Sequence, residues 1–352
     1  MKKVFHVIPT LENGGAETVL TRLIEEFVKK KIEQTVIVIK GSSDDFFYKR
    51  IKKLCVVYLW KMDSKKVIKS LKSQNFSVPI IAWMYGGIYF SYYLKLRFII
   101  PLQIIWNIRS SNFKQPFRIP QKLSLYAFGL FSKLIRPKII YCANAARITH
   151  RKYLFSRKNE IIITNRLAKK EIVVSPSVDD FNLPPQFLLF VGRHNTIKGL
   201  DRLFEIFKKI LKKFPKIVLV IAGEGWNKKY LPNSLSGNIL LLGNVENVNR
   251  LYKEATCYLF TSYYEGFPNV LVEAICQGCP VVAFEAGDSK LILEKYEFGV
   301  LVNTRIEFIN CLVKKIQKPP SVNRREQISK LQKRIFQFEQ TVDEYEKFIF
   351  KT

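Results

Sequence analysis

Acidic residues are scarce along much of this 352-residue chain, which carries 29 Asp and Glu against 58 Lys and Arg for a net charge of +29. Between Phe46 and Asn159 there are 23 basic residues and a single acid, Asp63. A field that lopsided excludes an acidic, solvating role and attracts polyanions: nucleic acid, an anionic membrane surface or a pyrophosphate-bearing substrate. Long apolar runs are also missing. A membrane-spanning helix needs about 20 such residues in succession, and none exists. The opening MKKVFHVIPT passes directly into polar Glu12 and Asn13. It is too short for a signal peptide and reads as a first strand, so a cytoplasmic chain is expected.

Metal-binding grammar is thin as well. The six cysteines are scattered. Cys276 and Cys279 have ligand spacing, but no second CxxC or His pair completes a tetrahedral site, and reduced structural thiols are expected. The histidines are His6, His150 and His194. No DxD closes a strand: Asp44–Asp45 and Asp179–Asp180 read as polar loop residues. No metal is therefore expected.

What the sequence does hold is 48% hydrophobic residues, enough for two cores in a chain this long. Two stretches share one grammar. KKVFHVIP, LENGGAE, TVLTRLIEEFVKKK and QTVIVIK read as strand, Gly-bearing loop, helix and strand. FLLFVG, RHNTIKG, LDRLFEIFKKILKKFP and KIVLVIAG repeat it from Phe187. That unit builds a parallel, doubly wound sheet, whose ligands bind in loops at the carboxyl ends of its strands. Two α/β domains follow, expected over 1–184 and 185–325 with SPSVDDFNLPP as the boundary. Residues 326–352 form one long charged helical pattern with Ile328, Leu331, Ile335, Phe338, Tyr345 and Phe348.

The second domain carries most of the chemistry. In VGRHNTIKGLD, Arg193 and Lys198 lie between a strand end and a helix start, where free N–H groups and two cations suit a diphosphate; many loops are simply basic, and that reading stays open. VLVIAGEGW ends a strand at Gly223, Glu224 and Gly225, small residues that let a ligand reach the backbone. In LLLGNVENV, Val245 is placed for a flat base. The most specific segment is FTSYYEGFPNVLVEAICQGCPVVAF. Glu265 and Gly266–Phe267 precede a helix starting near Asn269, whose first N–H groups, through Val270 and Leu271, suit phosphate. A carboxylate at Glu273, in the second helical turn, can accept bonds from both ribose hydroxyls.

These motifs resemble those of the family 4 retaining glycosyltransferases, which have the GT-B architecture. The likeness runs from Phe187 to about Val302 and rests on EGFPNVLVEA, the Arg193 and Lys198 pair, and GEG. It implies two Rossmann-like domains facing across a cleft, with a C-terminal helix crossing back to the first domain. By resemblance Arg193 and Lys198 bind the donor diphosphate, Glu273 the ribose and Glu265 the donor sugar. GGAE, with Gly14 and Gly15, resembles the family's first glycine loop, although a plain strand-to-helix turn has the same composition. Departures fall in the first domain. Arg109 follows QIIWNI where such enzymes carry a His, so an acceptor or donor-sugar contact is expected there in place of a histidine's role. His150 matches a family His, and the PNG turn is reduced to Asn165.

The implied activity is transfer from a UDP- or GDP-sugar, a co-substrate and not a bound cofactor, to a saccharide or lipid-linked acceptor of cell-surface glycan synthesis. The basic and aromatic stretch from Met84 to Lys138 suits an anionic inner-leaflet surface, or else ordinary buried helix faces with solvated charges. An epimerase of the same fold is the competing enzyme. A nucleic-acid binder has charge in its favour but no helix-turn-helix, zinc finger or RNP-like motif.

Overall fold

The structure is a computed structural model describing residues 2–12, 14–74, 78–109, 119–166, 182–245, 247–294 and 296–351, with 119–121 described by backbone only. The boundary segment at 175–185 falls outside these residues up to position 181, as do Asp179 and Asp180. The chain divides into two compact units, one of residues 1–168 with 338–352, the other of 169–337.

The first unit holds a sheet of seven parallel strands in the order β3-β2-β1-β4-β5-β6-β7. Its central members are β1 (Lys3–Ile8), β4 (Pro79–Trp83) and β5 (Gln103–Ile108), flanked by β2 (Glu33–Val38), β3 (Val56–Leu59), β6 (Lys138–Tyr141) and β7 (Glu160–Ile162). Every residue of β4 is buried, as strands covered on both faces require. Helix α1 (Gly15–Lys29) turns Val19, Leu20, Leu23, Ile24 and Phe27 inward at helical spacing. The remaining helices of this unit are α2 (Phe46–Ile51), α3 (Trp60–Lys72), α4 (Met84–Arg97), α5 (Ile119–Ile135) and α6 (Asn144–Lys152).

The second unit repeats the plan with six parallel strands, β10-β9-β8-β11-β12-β13. These are β8 (Phe187–Val191), β9 (Val218–Ala222), β10 (Ile239–Gly243), β11 (Cys257–Phe260), β12 (Val281–Phe284) and β13 (Gly299–Val302). Helices α7 (Leu200–Leu211), α8 (Asn249–Glu254), α9 (Asn269–Cys276), α10 (Ser289–Leu293) and α11 (Arg305–Gln317) connect them. In each sheet the strand order reverses once, at β1/β4 and at β8/β11, and it is outside such a switch point that ligands bind.

The C-terminal pattern is not one helix. It breaks at Phe336 into α12 (Val322–Ile335) and α13 (Phe338–Phe350). The reason is that two cores claim it. Ile328, Ser329 and Gln332 of α12 are buried within the second unit, where Ser329 Oγ donates to the Cys276 carbonyl at 2.6 Å. Phe338, Val342, Tyr345 and Ile349 of α13 are buried in the first unit's core with Val4, Ile8, Phe27 and Trp83.

Two histidines are core residues of the first unit. Trp83 Nε1–H donates to His6 Nδ1 at 3.2 Å, which leaves His6 Nε2–H to donate to Gln34 Oε1 at 3.4 Å. His150 Nδ1–H donates to the Ala146 carbonyl at 2.7 Å, so its Nε2 accepts from the Tyr85 hydroxyl at 2.6 Å. Burial lowers both imidazoles from 6.5 to about 4, against the smaller opposing effect of these hydrogen bonds. No helix among the described residues is long and apolar enough to cross a membrane.

Two outcomes follow from this packing. Tyr345→Ala removes a fully buried ring and is expected to cost about 3–5 kcal/mol, read as a lower urea midpoint. The two neutral histidines are uncharged in the fold and charge readily when unfolded, so their contribution is complete above pH 6.5 and lost as pH falls toward about 4. A melting temperature that is flat across that window would contradict the buried, neutral assignment; His6→Gln should flatten part of the slope.

Candidate functional site

The residues singled out in the second domain gather at the β8/β11 switch point. Strands β8 and β11 pair in parallel through Leu188 with Cys257 and Leu189 with Tyr258. That pairing sets the loop after β8, with Arg193 and Lys198, beside the loop after β11, with Glu265. Lys198 Nζ donates to Glu265 Oε1 at 2.6 Å, and Ser262 Oγ donates to the same oxygen at 2.9 Å. Backbone bonds stitch the loops together: Tyr263 N–H donates to the Ile197 carbonyl at 2.8 Å, and Thr261 Oγ1 to the Lys198 carbonyl at 2.8 Å. Both charged side chains are largely covered, at 24% and 16% exposure. Their attraction is therefore less screened than a surface pair's.

Glycines are required where these loops touch. Gly199 has φ +68°, and a Cβ there would lie 2.0 Å from the Thr261 carbonyl oxygen. Gly287, after β12, has φ +59°, and its Cβ would lie 2.2 Å from the Gly266 carbonyl oxygen. Each marks a backbone approach that only glycine permits.

The loops after β9 and β10 join the same edge. His194 N–H donates to the Glu224 carbonyl, and Gly223 N–H to the Gly243 carbonyl. Val245 follows β10, half-buried. Helix α9 begins after Pro268 without a side-chain cap. Leu271 N–H is turned onto the Pro268 carbonyl at 3.0 Å, so the helix start offers the N–H groups of Asn269 and Val270 ahead of that of Leu271. Leu271 itself is buried. Gly266, Phe267 and Glu273 are half-buried. Burial pushes the Tyr258 hydroxyl well up, and Glu265 and Glu273 both raise it further, so the two carboxylates act on one neighbouring hydroxyl.

Several supporting residues carry no signal of their own in the sequence. Arg325 of α12 donates to three carbonyls: Tyr252 and Ala255 at the end of α8, and Gly278 just past α9. A cation on two helix C-termini offsets their negative ends and fixes where α9 lies. The Arg202 guanidinium sits between the Tyr263 and Phe284 rings, 3.8 and 4.4 Å from their centroids. Trp226 Nε1–H donates to the Gly192 carbonyl at 2.8 Å, bracing the loop that carries Arg193. Burial pushes the Cys276 and Cys279 thiols up to about 12.

Gly14, Gly15 and Arg109 belong to the first unit. Gly14 precedes α1, and a Cβ there would meet the Glu17 carboxylate at 2.3 Å. The absence of a side chain thus makes room for Glu17. Arg109 is committed within its own unit. Nη1–H donates to the Tyr345 hydroxyl, Nη2–H to Asn165 Oδ1, and the guanidinium lies over the Trp83 ring. The contact expected of Arg109 with an acceptor or donor sugar would have to compete with these bonds, which tie α13 to the sheet.

Residues 175–334 match the family model described as Glycosyl transferases group 1. A glycosyltransferase of Methanocaldococcus jannaschii is 34% identical over a shorter stretch, 26% of this chain and 24% of its own. An alpha-1,4-N-acetyl-D-galactosaminyltransferase of Campylobacter jejuni, named for a PP-undecaprenol-linked saccharide, is 24% identical across 90% of this chain and 88% of its own. Among solved structures, the Anabaena protein HepE in complex with UDP superposes with a TM-score of 0.79 at 16% identity, covering 100% of both chains. The fold is GT-B, and the chain resembles bacterial polysaccharide glycosyltransferases.

Replacing Gly199 by Ala forces a side chain into the left-handed region against the Thr261 carbonyl. It is expected to cost about 1–3 kcal/mol or more, seen as a lower melting temperature; an unchanged melt would contradict the close approach.

Proposed function

We propose that this chain, a glycosyltransferase of GT-B fold, is a retaining enzyme that moves a hexose from a UDP- or GDP-sugar to a saccharide or lipid-linked acceptor of the cell surface. The observation that carries the reading is the 2.6 Å bond from Lys198 to Glu265. It joins residues 67 positions apart at the switch point where a doubly wound sheet binds ligands. The UDP named with HepE supports a nucleotide donor, and the family 4 motifs support the retaining outcome.

Roles follow from placement and chemistry. Arg193 and Lys198 take the donor diphosphate, helped by the start of α9 at Asn269 and Val270. Glu273 takes the ribose hydroxyls, Val245 lies against the base, and Gly223 and Glu224 shape the adjoining loop. Glu265, with Gly266 and Phe267, contacts the sugar being moved. In the free enzyme Lys198 and Glu265 neutralise each other. Donor binding gives each a new partner, the diphosphate for the ammonium and sugar hydroxyls for the carboxylate.

The C–O bond between sugar and diphosphate breaks as negative charge collects on the leaving phosphate. Two cations and a helix start placed there in advance stabilise that charge without reorganisation. The acceptor hydroxyl attacks from the face the diphosphate leaves and passes its proton to the departing diphosphate oxygen, with no covalent enzyme intermediate. No metal is assigned a part, since Lys198 and Arg193 supply the positive charge a metal would. The acceptor half works at the inner face of an anionic membrane.

Lys198→Ala and Glu273→Ala are each expected to lower transfer by roughly 100-fold or more; near-normal turnover in either would sink the assignment. A thermal-shift panel of UDP-, GDP- and other nucleotide sugars identifies the donor, and transfer of that donor should survive EDTA.

A further inference from the structure

We infer that His194, Trp226 and Tyr230 form an aromatic clamp that positions Arg193 for the phosphates of the donor. The inference rests on the transferase reading and deepens it, by giving three rings the task of aiming one cation. Arg193 itself has an exposed side chain on the loop after β8. A long side chain on a loose loop gives up both rotamer and backbone freedom when it grips a ligand, and that loss weakens the grip. Fixing the backbone beforehand removes part of the cost.

The residues on either side of Arg193 are both fixed. Gly192 N–H donates to the Ala222 carbonyl at 2.9 Å, and the Gly192 carbonyl accepts Trp226 Nε1–H at 2.8 Å. His194 N–H donates to the Glu224 carbonyl at 2.9 Å. Its imidazole stacks on the Tyr230 ring, 15° from parallel with centroids 4.3 Å apart. The same imidazole meets the Trp226 ring edge-on at 4.9 Å.

The clamp is also tied to the core. Trp226 meets Phe190 of β8 at 5.9 Å and Phe204 of α7 at 6.2 Å, both edge-on. Phe190 is buried. Tyr230 closes a single helical turn, Lys228–Tyr230, that Asn227 caps by accepting from the Lys229 N–H. The indole therefore reaches from the core to one side of Arg193, and the imidazole is gripped by two rings on the other. Ring pairs of this geometry add to what their buried area supplies. These three stand at the half-covered edge of the sheet, His194 and Trp226 half-buried and Tyr230 exposed. Packed there, they order the loop that carries Arg193 rather than fill the interior.

The test is a double-mutant cycle on the full chain, read by calorimetric titration with UDP and GDP, the tighter of the two being used throughout. Trp226→Phe keeps a ring and removes the indole N–H, and should lower affinity roughly tenfold. Arg193→Ala should lower it further. The double variant should bind like Arg193→Ala alone, within a factor of about two, because the clamp acts through that arginine. His194→Ala should also lose affinity, whereas His194→Phe, which keeps the stack, should restore it. Should Trp226→Phe fail to fold, the same cycle is run with His194→Ala and Arg193→Ala. Losses that multiply in the double variant would show a merely structural role and overturn the inference. So would parent-like binding by Trp226→Phe and His194→Ala. A parent that binds neither nucleotide would remove the transferase reading and this inference with it, whereas a parent that binds while the losses multiply removes the inference alone.

Discussion

The parallel pairing of β8 with β11 is the constraint from which the loop cluster beyond these strands follows. Only two rungs join these strands, Leu188 with Cys257 and Leu189 with Tyr258. They bring into register two loops that the chain separates by most of a βαβαβ repeat. Once the strands are paired, Gly199 can lie against the Thr261 carbonyl and Lys198 can close on Glu265. The half-buried ion pair is then a consequence of sheet order. Neither charge could be held there alone without a desolvation cost that the partner offsets. Helix α9 is placed by the same strands and pinned at its far end by Arg325. A start that can meet phosphate and an end capped by a cation belong to one short helix.

The first unit is organised around a different contact. Tyr345 of α13 stacks on Trp83 and accepts from Asn107 Nδ2–H and Arg109 Nη1–H. Trp83 in turn donates to His6. A chain of two hydrogen-bonded groups, joined by the Trp83–Tyr345 ring stack, thus runs from the first strand to the last helix in an otherwise apolar core. Such a chain is favourable only while each member keeps its partner. That explains why the terminal helix is part of this unit's core and not an appendage to it. Arg109 has been absorbed into this framework.

Charge and apolar surface are divided unevenly between the units. The second unit, residues 169–337, holds 25 basic and 16 acidic residues, a milder excess than in the first. The first is strongly basic, with leucines and tyrosines left in the open on α4 and α5.

Local pattern determined much of this protein. Alternating apolar runs and amphipathic stretches set the strands and helices of both sheets, because burial on both strand faces and on one helix face leaves a period in the residues themselves. GFPNVLVEA placed α9 closely, since Pro268 or Asn269 suits a helix start and Gly278 its close. Only the tertiary structure decided what each charge would meet. Nothing in the spacing shows that Lys198 bonds Glu265, that Arg325 caps α8 and α9, that Arg202 lies between Tyr263 and Phe284, or that Arg109 is held by Tyr345 and Asn165. Helical periodicity likewise continues through Phe336, where the fold divides α12 from α13. Periodicity records how a segment meets its nearest core, whereas pairings between distant residues depend on which strands become neighbours.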